Sequence, residues 1–193
     1  MLGLKLATDP RWVNIAEKTI EDILTDHAFC EQKAASSGIS LIVNFADKQD
    51  IVDSVTPLVA EEWGHFRKVI KELNKRGLSL GKKRKDEYVL KIKDLMQKGG
   101  NREMLLVEQL LIFALIEARS CERFRLLSLH INDPELKDFY HEFMVSEAGH
   151  YRMFIDLAKK YMPEDHVKRR WNEIVEGEAK ILATLELRGD RVH

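Results

Sequence analysis

The chain is poor in the residues that interrupt helices and in those that build disulfide or zinc sites. Its 193 residues include only four prolines and ten glycines, whereas a many-stranded sheet needs frequent turns. The two cysteines, Cys30 and Cys121, belong to no CxxC pair, which argues against a structural zinc site and favours buried, reduced thiols. We therefore expect a helical protein without disulfides.

Neither a dominant charge nor a long apolar run is present. The formal net charge is -1, so the composition does not indicate a surface devoted to nucleic acid, although a local basic patch is compatible with it. The longest apolar run, from Leu110 to Ile116, is too short to span a bilayer, and the N-terminus lacks the pattern of a signal peptide. We expect a cytoplasmic protein that forms one domain over residues 1–193.

Helical periodicity and capping residues predict four long helices. Asp9-Pro10 is a favourable helix start, and Ser36-Ser37-Gly38 is read as the stop of the first long helix. Pro57 is expected to kink the second. The expected ranges, with the shorter helices between and after the long ones, are 10–36, 39–46, 49–76, 88–97, 101–131, 134–161 and 163–189.

The predicted helix lengths favour a bundle. No segment shows the alternation of a strand. Four helices of about 25 to 30 residues would each be about 40 Å long. Because short turns join them in pairs, we expect antiparallel hairpins in an all-α four-helix bundle with additional shorter helices.

An internal repeat is the strongest functional signal. Residues 62–67 and 147–152 both read Glu-x-Gly-His-aromatic-Arg. Residues three apart lie on one face of a helix, so the Glu and His of each copy can reach the same ion. Carboxylate oxygen with imidazole nitrogen suits iron or manganese. One Glu-x-x-His match would be close to chance, but two matches with the same extended context are not.

Each copy of the repeat also contains a glycine, Gly64 in the first and Gly149 in the second. Glycine inside a helix costs about 1 kcal/mol relative to alanine. Its presence at equivalent positions of both copies suggests that crowding near the ion excludes a side chain.

Glu31 and Glu117 complete a candidate di-iron ligand set, because such bundles take one more glutamate from each remaining helix. Glu31 lies 31 residues before Glu62, and Glu117 lies 30 before Glu147. Each pair is nearly symmetric about a predicted turn, so its members should lie at the same height in a hairpin. Glu117 also interrupts the apolar run LLIFALIEA, where a bare buried carboxylate would be costly.

Glu122 competes with Glu117 for this role, because Cys30-Glu31 and Cys121-Glu122 share a dipeptide. We prefer Glu117, since Glu122 is about 140° further around the helix and fits the hairpin symmetry less well. His27 and His141 lie near the expected height of the site. We interpret both as core residues or as neighbours of the ligands.

The chain resembles a known family in these segments together with DHAFCEQKAA (26–35) and IEARSCERF (116–124). They are similar to the tRNA-(2-methylthio-isopentenyladenosine) hydroxylase family, MiaE, of the ferritin-like di-iron superfamily, and the similarity covers essentially the whole chain. The resemblance implies an O₂-dependent monooxygenase that hydroxylates the isopentenyl group of this nucleoside in tRNA. It implies two iron ions, an external electron donor of the reductase or ferredoxin type, and bridging positions for Glu62 and Glu147, with Glu31 and Glu117 more terminal. The implied ligands are Glu31, Glu62, His65, Glu117, Glu147 and His150.

The RNA contacts are less well indicated. The Lys-Lys-Arg-Lys run at 82–85 and the Lys-Arg-Arg run at 168–170 are candidate phosphate contacts, with solvated charge as the alternative. A modified adenosine must be splayed out to reach an enclosed site. Four aromatic residues are candidates for stacking on it, or else pack in the core: Trp12, Trp63, Phe66 and Trp171. Three arginines on the third long helix are candidates for pairing with buried acids: Arg119, Arg123 and Arg125.

Two other functions remain open from the residues. A ferritin-like ferroxidase or peroxidase would use the same six ligands with iron or peroxide as its substrate. A binding or structural bundle without metal would use none of them.

Overall fold

The computed structural model describes residues 2–83 and 86–192, and every regular element in these ranges is helical. Four of the helices in these ranges are long, at 25 to 29 residues, as predicted. No helix in these ranges is both long and apolar enough to cross a membrane. The elements are α1 (Arg11–Ala16), a 3-10 turn (Glu17–Thr19), α2 (Ile20–Asn44), α3 (Gln49–Lys75), α4 (Glu87–Lys93), α5 (Arg102–His130), α6 (Pro134–Tyr161) and α7 (Glu164–Thr184).

The described residues group into two compact units. One unit, the α2–α3 unit, contains residues 14–83 and 188–192. The other, the α5–α6 unit, contains residues 2–13 and 86–187 and also includes α4 and α7. In each unit the two long helices pack against each other as a hairpin, which is the pairing that the short turns predict.

Helix α2 runs through Gly38, so the predicted stop at Ser36-Ser37-Gly38 and the separate helix over 39–46 are wrong. Gly38 is buried and faces α3. A Cβ atom at this position would lie 2.6 Å from Cγ2 of Val59 and 3.3 Å from Cγ1 of Val55. The glycine therefore serves close helix packing instead of ending the helix.

The other long helices begin and end as their capping residues predict. Gly77 takes a φ of +70°, and the N–H of Leu78 donates to the carbonyl of Leu73 at 3.0 Å, which is the closing pattern typical of a glycine-terminated helix. The side chain of Asn101 accepts from the N–H of Met104 at the start of α5. Pro57 lies inside α3, and the kink expected there stays a prediction.

The shorter helices differ more from expectation. Helix α4 ends at Lys93 instead of residue 97, and α7 ends at Thr184 instead of residue 189. The backbone turns at 94–96, and Leu185 is extended after α7. Helix ends that lack a strong cap depend on tertiary contacts, so periodicity alone sets them poorly.

Candidate metal centre

In the α2–α3 unit, three of the predicted ligands come together. Glu31 on α2 and Glu62 and His65 on α3 are all buried, and one ligand atom from each lies within 4.8 Å of the others. The Nδ1 atom of His65 is 3.4 Å from Glu31 Oε2 and 3.6 Å from Glu62 Oε2. Two carboxylates and one imidazole thus converge, and we call this group the α2–α3 triad.

The α5–α6 unit contains a second group of the same composition. Glu117 on α5 and Glu147 and His150 on α6 are buried, and one ligand atom from each lies within 4.8 Å of the others. The Nδ1 atom of His150 is 3.7 Å from Glu147 Oε2. We call this group the α5–α6 triad. Hairpin symmetry therefore paired Glu31 with Glu62 and Glu117 with Glu147 correctly.

Glu122, the competitor of Glu117, is held by other partners. Its Oε1 accepts from the backbone N–H of Thr8 at 2.8 Å, and its Oε2 accepts from the hydroxyl of Thr8 at 2.7 Å. Arg119 donates to the same Oε2 at 2.8 Å. These contacts tie the N-terminal segment to α5, so Glu122 has a structural role.

Two neighbouring residues contact side chains of the triads. His27 is fully buried, and its Nε2 lies 2.8 Å from Glu31 Oε1, which agrees with its interpretation as a neighbour of the ligands. Ser146 Oγ lies 3.4 Å from His150 Nε2, a contact that we did not predict although its four-residue spacing indicates it. His141 is exposed, so its interpretation as a core residue is wrong, and its interpretation as a neighbour of the ligands stays a prediction.

The glycines of the repeat are not crowded, contrary to the expectation from sequence. A Cβ atom at Gly64 or at Gly149 would meet nothing within 4 Å. Each glycine follows its Glu by two positions, which turns it about 200° away from the ligand direction. The expectation that crowding near the ion excludes a side chain at these two positions is therefore wrong.

The aromatic residues predicted to stack on the nucleoside and the arginines predicted to pair with buried acids differ in how buried they are. Trp12 and Trp171 are buried, whereas Trp63 is 50% exposed. Arg119 is fully buried and donates to both carboxylate oxygens of Glu178, at 2.9 and 3.0 Å. No sequence pattern indicates Glu178 as the partner of Arg119, because the two residues lie 59 positions apart.

The two basic runs contain fewer candidate phosphate contacts than the sequence indicated. Arg170 is buried and donates to Glu108 at 2.6 and 2.9 Å, so it is not a phosphate contact. Lys82 and Lys83 are exposed, while positions 84 and 85 of the same run lie outside the described residues. Both cysteines are free thiols, and burial raises the pKa of Cys121 to about 11, with the charge of Glu147 adding to the effect.

The donor chemistry of the triads fits a metal site. Each triad offers two carboxylates and one imidazole and no thiolate, a set that suits iron or manganese better than a structural zinc ion. One Glu from one helix with a Glu-x-x-His pair from its partner is the ligand pattern of carboxylate-bridged di-metal helical proteins. The residues present therefore fit a pair of such ions.

A likeness to a solved structure defines the class of the molecule. A Synechococcus protein described as having aldehyde deformylating oxygenase activity matches with a TM-score of 0.92 and 29% sequence identity, over 98% of this chain and 94% of that one. The predicted fold class, an all-α ferritin-like bundle with additional shorter helices, is confirmed.

The family follows from the sequence comparisons. The model of the tRNA-(ms2io6A)-hydroxylase family (MiaE) matches residues 2–193, and the chain belongs to that family. Two relatives carry the name tRNA 2-(methylsulfanyl)-N(6)-isopentenyladenosine(37) hydroxylase. The one from Pseudomonas putida is 36% identical over 84% of this chain and 78% of its own. The one from Salmonella typhimurium is 27% identical over 74% of this chain and 69% of its own. The resemblance based on the motifs is confirmed.

Proposed function

We propose that the protein is an O₂-dependent non-haem di-iron monooxygenase that hydroxylates the isopentenyl group of 2-methylthio-isopentenyladenosine in tRNA. The observation that carries the proposal is the presence of two buried triads of the same composition in a chain that matches the hydroxylase family over residues 2–193. Because the substrate is tRNA, we further propose a cytoplasmic location.

We propose that the two triads together hold two iron ions within one domain that spans the chain. Glu62 and Glu147 would occupy the bridging positions, with Glu31 and Glu117 more terminal. The choice of Glu117 is supported by the contacts of Glu122 with Thr8 and Arg119. The full ligand set is Glu31, Glu62, His65, Glu117, Glu147 and His150.

Hydroxylation of a C–H bond needs an oxidant that no side chain provides, and a carboxylate-bridged di-iron pair supplies O₂ activation. One oxygen atom enters the C–H bond and the other leaves as water, so two electrons must come from an external donor, a reductase or a ferredoxin-type protein, and two protons from solvent. The chain's own residues bind and orient the ions. The six residues are only 1–7% exposed, which limits the access of bulk water.

The direct test is a nucleoside assay. Iron-loaded, reduced protein should add one hydroxyl to prenylated tRNA in the presence of O₂, as seen by mass spectrometry of the digested nucleosides. Metal-free protein and an oxygen-free reaction are the controls. An unchanged nucleoside, combined with rapid oxidation of added Fe(II), would contradict the proposal and favour the ferroxidase alternative.

A further inference from the structure

One flank of α3 carries aromatic and basic side chains at helical spacing. Trp63 is 50% exposed, and its ring stacks on that of Phe66 with centroids 4.9 Å apart and planes 21° apart. An open groove of about 330 Å³ continues from Phe66 along the helix. Its lining residues are Phe66, Arg67, Ile70, Lys71 and Asn74. Together with Trp63 they form what we call the α3 face.

The charge of the α3 face is basic without compensation, in a chain whose formal net charge is only -1. Arg67 and Lys71 are exposed, and within residues 2–83 and 86–192 neither forms a salt bridge. The nearby carboxylates are directed elsewhere. Glu61 lies about 160° around the helix from Trp63, and Glu72 accepts from Arg76 at 2.7 Å.

The α3 face adjoins the α2–α3 triad. Trp63 directly follows Glu62, and Phe66 directly follows His65. Gly64 lies beside them with open space where a Cβ would be, so a partner can approach the helix backbone closely. The exposed ring of Trp63, the half-buried ring of Phe66 and the proposed ligands therefore occupy the same turns of one helix.

We propose that the α3 face binds the single-stranded loop of the tRNA substrate. Unstacked bases stack on the rings of Trp63 and Phe66, and the flanking phosphates contact Arg67 and Lys71. Single-stranded nucleic acid is bound in this way, with aromatic rings taking the bases and basic groups following the backbone. The proposal rests on the proposed tRNA hydroxylase function and assigns the surface that presents the substrate to the site.

The test compares two double variants that reverse the same charge on two flanks of α3, about 70° apart around the helix. Arg67→Glu with Lys71→Glu alters the α3 face, and Lys68→Glu with Lys75→Glu is the matched control. Binding of a prenylated anticodon stem-loop is measured over a series of salt concentrations. We expect the α3-face variant to bind at least about 10-fold more weakly than the control. Its log affinity should depend less steeply on log salt, by about 1.4, because two single-strand phosphate contacts are lost.

The stacking part of the proposal has its own variants. Trp63→Ala should weaken binding of the stem-loop about fivefold or more, since stacking on one ring is worth about 1–3 kcal/mol per base. Trp63→Phe keeps a ring and should retain most of the affinity. Iron content is measured for every variant. If a variant loses iron, Lys71→Ala, which lies nine residues from Glu62, replaces it in the salt series.

The results separate this proposal from the proposed function. Hydroxylation by the wild-type protein, with equal stem-loop binding by the α3-face and control variants, would overturn the RNA-binding proposal and leave the function standing. If the α3-face variant binds RNA normally but is reduced more slowly by the electron donor, the α3 face belongs to that donor. This result would also overturn the RNA-binding proposal. If the wild-type protein does not hydroxylate the nucleoside, the proposed function itself is contradicted. If the wild-type protein does not bind the stem-loop, the RNA-binding proposal is overturned.

Discussion

At the scale of single residues, the side chains that touch the proposed ligands sit one helical turn before them. His27 precedes Glu31 by four residues, and Ser146 precedes His150 by four. Such contacts fix the orientation of a metal ligand, and their loss commonly weakens metal binding. The 2.8 Å contact between His27 Nε2 and Glu31 Oε1 is therefore expected to hold Glu31 ready for an ion.

Replacing His27 tests that role. We expect His27→Ala to weaken iron binding about 10- to 100-fold, measured by titration of the metal-free protein with Fe(II) under anaerobic conditions. His27→Gln keeps a polar group near Glu31 and should recover part of the affinity. His141→Ala, at an exposed histidine, is the control. Equal affinity of His27→Ala and the wild-type protein would show that Glu31 needs no such support.

The sequence predicted which glutamate and histidine of each repeat lie together, because that signal is local. Glu62 with His65, and Glu147 with His150, share a face through their three-residue spacing. The reason for Gly64 and Gly149 could not be predicted in the same way, because it depends on what surrounds the helix. The open space at both glycines became visible only in three dimensions.

At the scale of the helices, two internal glycines have opposite surroundings. A Cβ at Gly38 would lie 2.6 Å from Val59 Cγ2, whereas one at Gly64 would meet nothing within 4 Å. Val59 is β-branched and its methyl group has little freedom to move. Substitution at Gly38 must therefore disturb the packing of α2 on α3, while substitution at Gly64 need not.

The same change at both positions should have opposite effects. We expect Gly38→Ala to destabilise the protein by about 1–3 kcal/mol through overpacking. Gly64→Ala should stabilise it by up to about 1 kcal/mol, because alanine favours the helix. The free energy of unfolding in urea measures both. Stabilisation by Gly38→Ala would show that the helices separate there at little cost.

The course of α2 shows why helix ends are hard to predict. Ser36-Ser37-Gly38 has the composition of a stop, yet the helix continues. The favourable contacts come from α3, about 20 residues further along the chain, and no local pattern contains them. Where the cap is local, as at Asn101 and Asp133, the sequence predicted the start correctly.

At the scale of the whole molecule, a buried ionic cluster ties distant parts of the α5–α6 unit together. Arg119 on α5 donates to the carbonyl of Leu6 at 2.9 Å and to Glu178 on α7. Burial raises the pKa of Glu178, while the charge of Arg119 and its hydrogen bonds oppose that rise. The N-terminal segment and α7 therefore both depend on one guanidinium group.

Removing the guanidinium group of Arg119 should lower the stability of the folded protein. We expect Arg119→Leu to lower the free energy of unfolding by about 3–5 kcal/mol, since Glu178 is left as a buried, uncompensated charge. Protonation relieves such a charge, so the loss should shrink as the pH falls through the raised pKa of Glu178. The double variant Arg119→Leu with Glu178→Leu should recover much of the stability. A pH-independent loss that the double variant does not reduce would contradict this account.

The sequence predicted the two hairpins and the composition of each triad, because both follow from helical periodicity and from distances to the turns. It indicated Arg119 as a candidate for pairing with a buried acid but did not identify the partner, Glu178, which lies 59 positions away. For RNA binding it indicated two basic runs and a set of aromatic residues that includes Trp63 and Phe66, whereas the basic residues of the proposed α3 face, Arg67 and Lys71, belong to neither run. Such a surface has no contiguous motif and is found only once the helix is placed.

The iron content of ligand variants tests the central claim most directly, namely that both triads together hold two irons. Elemental analysis of the loaded wild-type protein should give two irons per chain. Glu117→Ala should lose iron, and Glu122→Ala should retain it while losing stability through its contacts with Thr8 and Arg119. Full iron occupancy in Glu117→Ala, with loss of iron in Glu122→Ala, would contradict the proposed site.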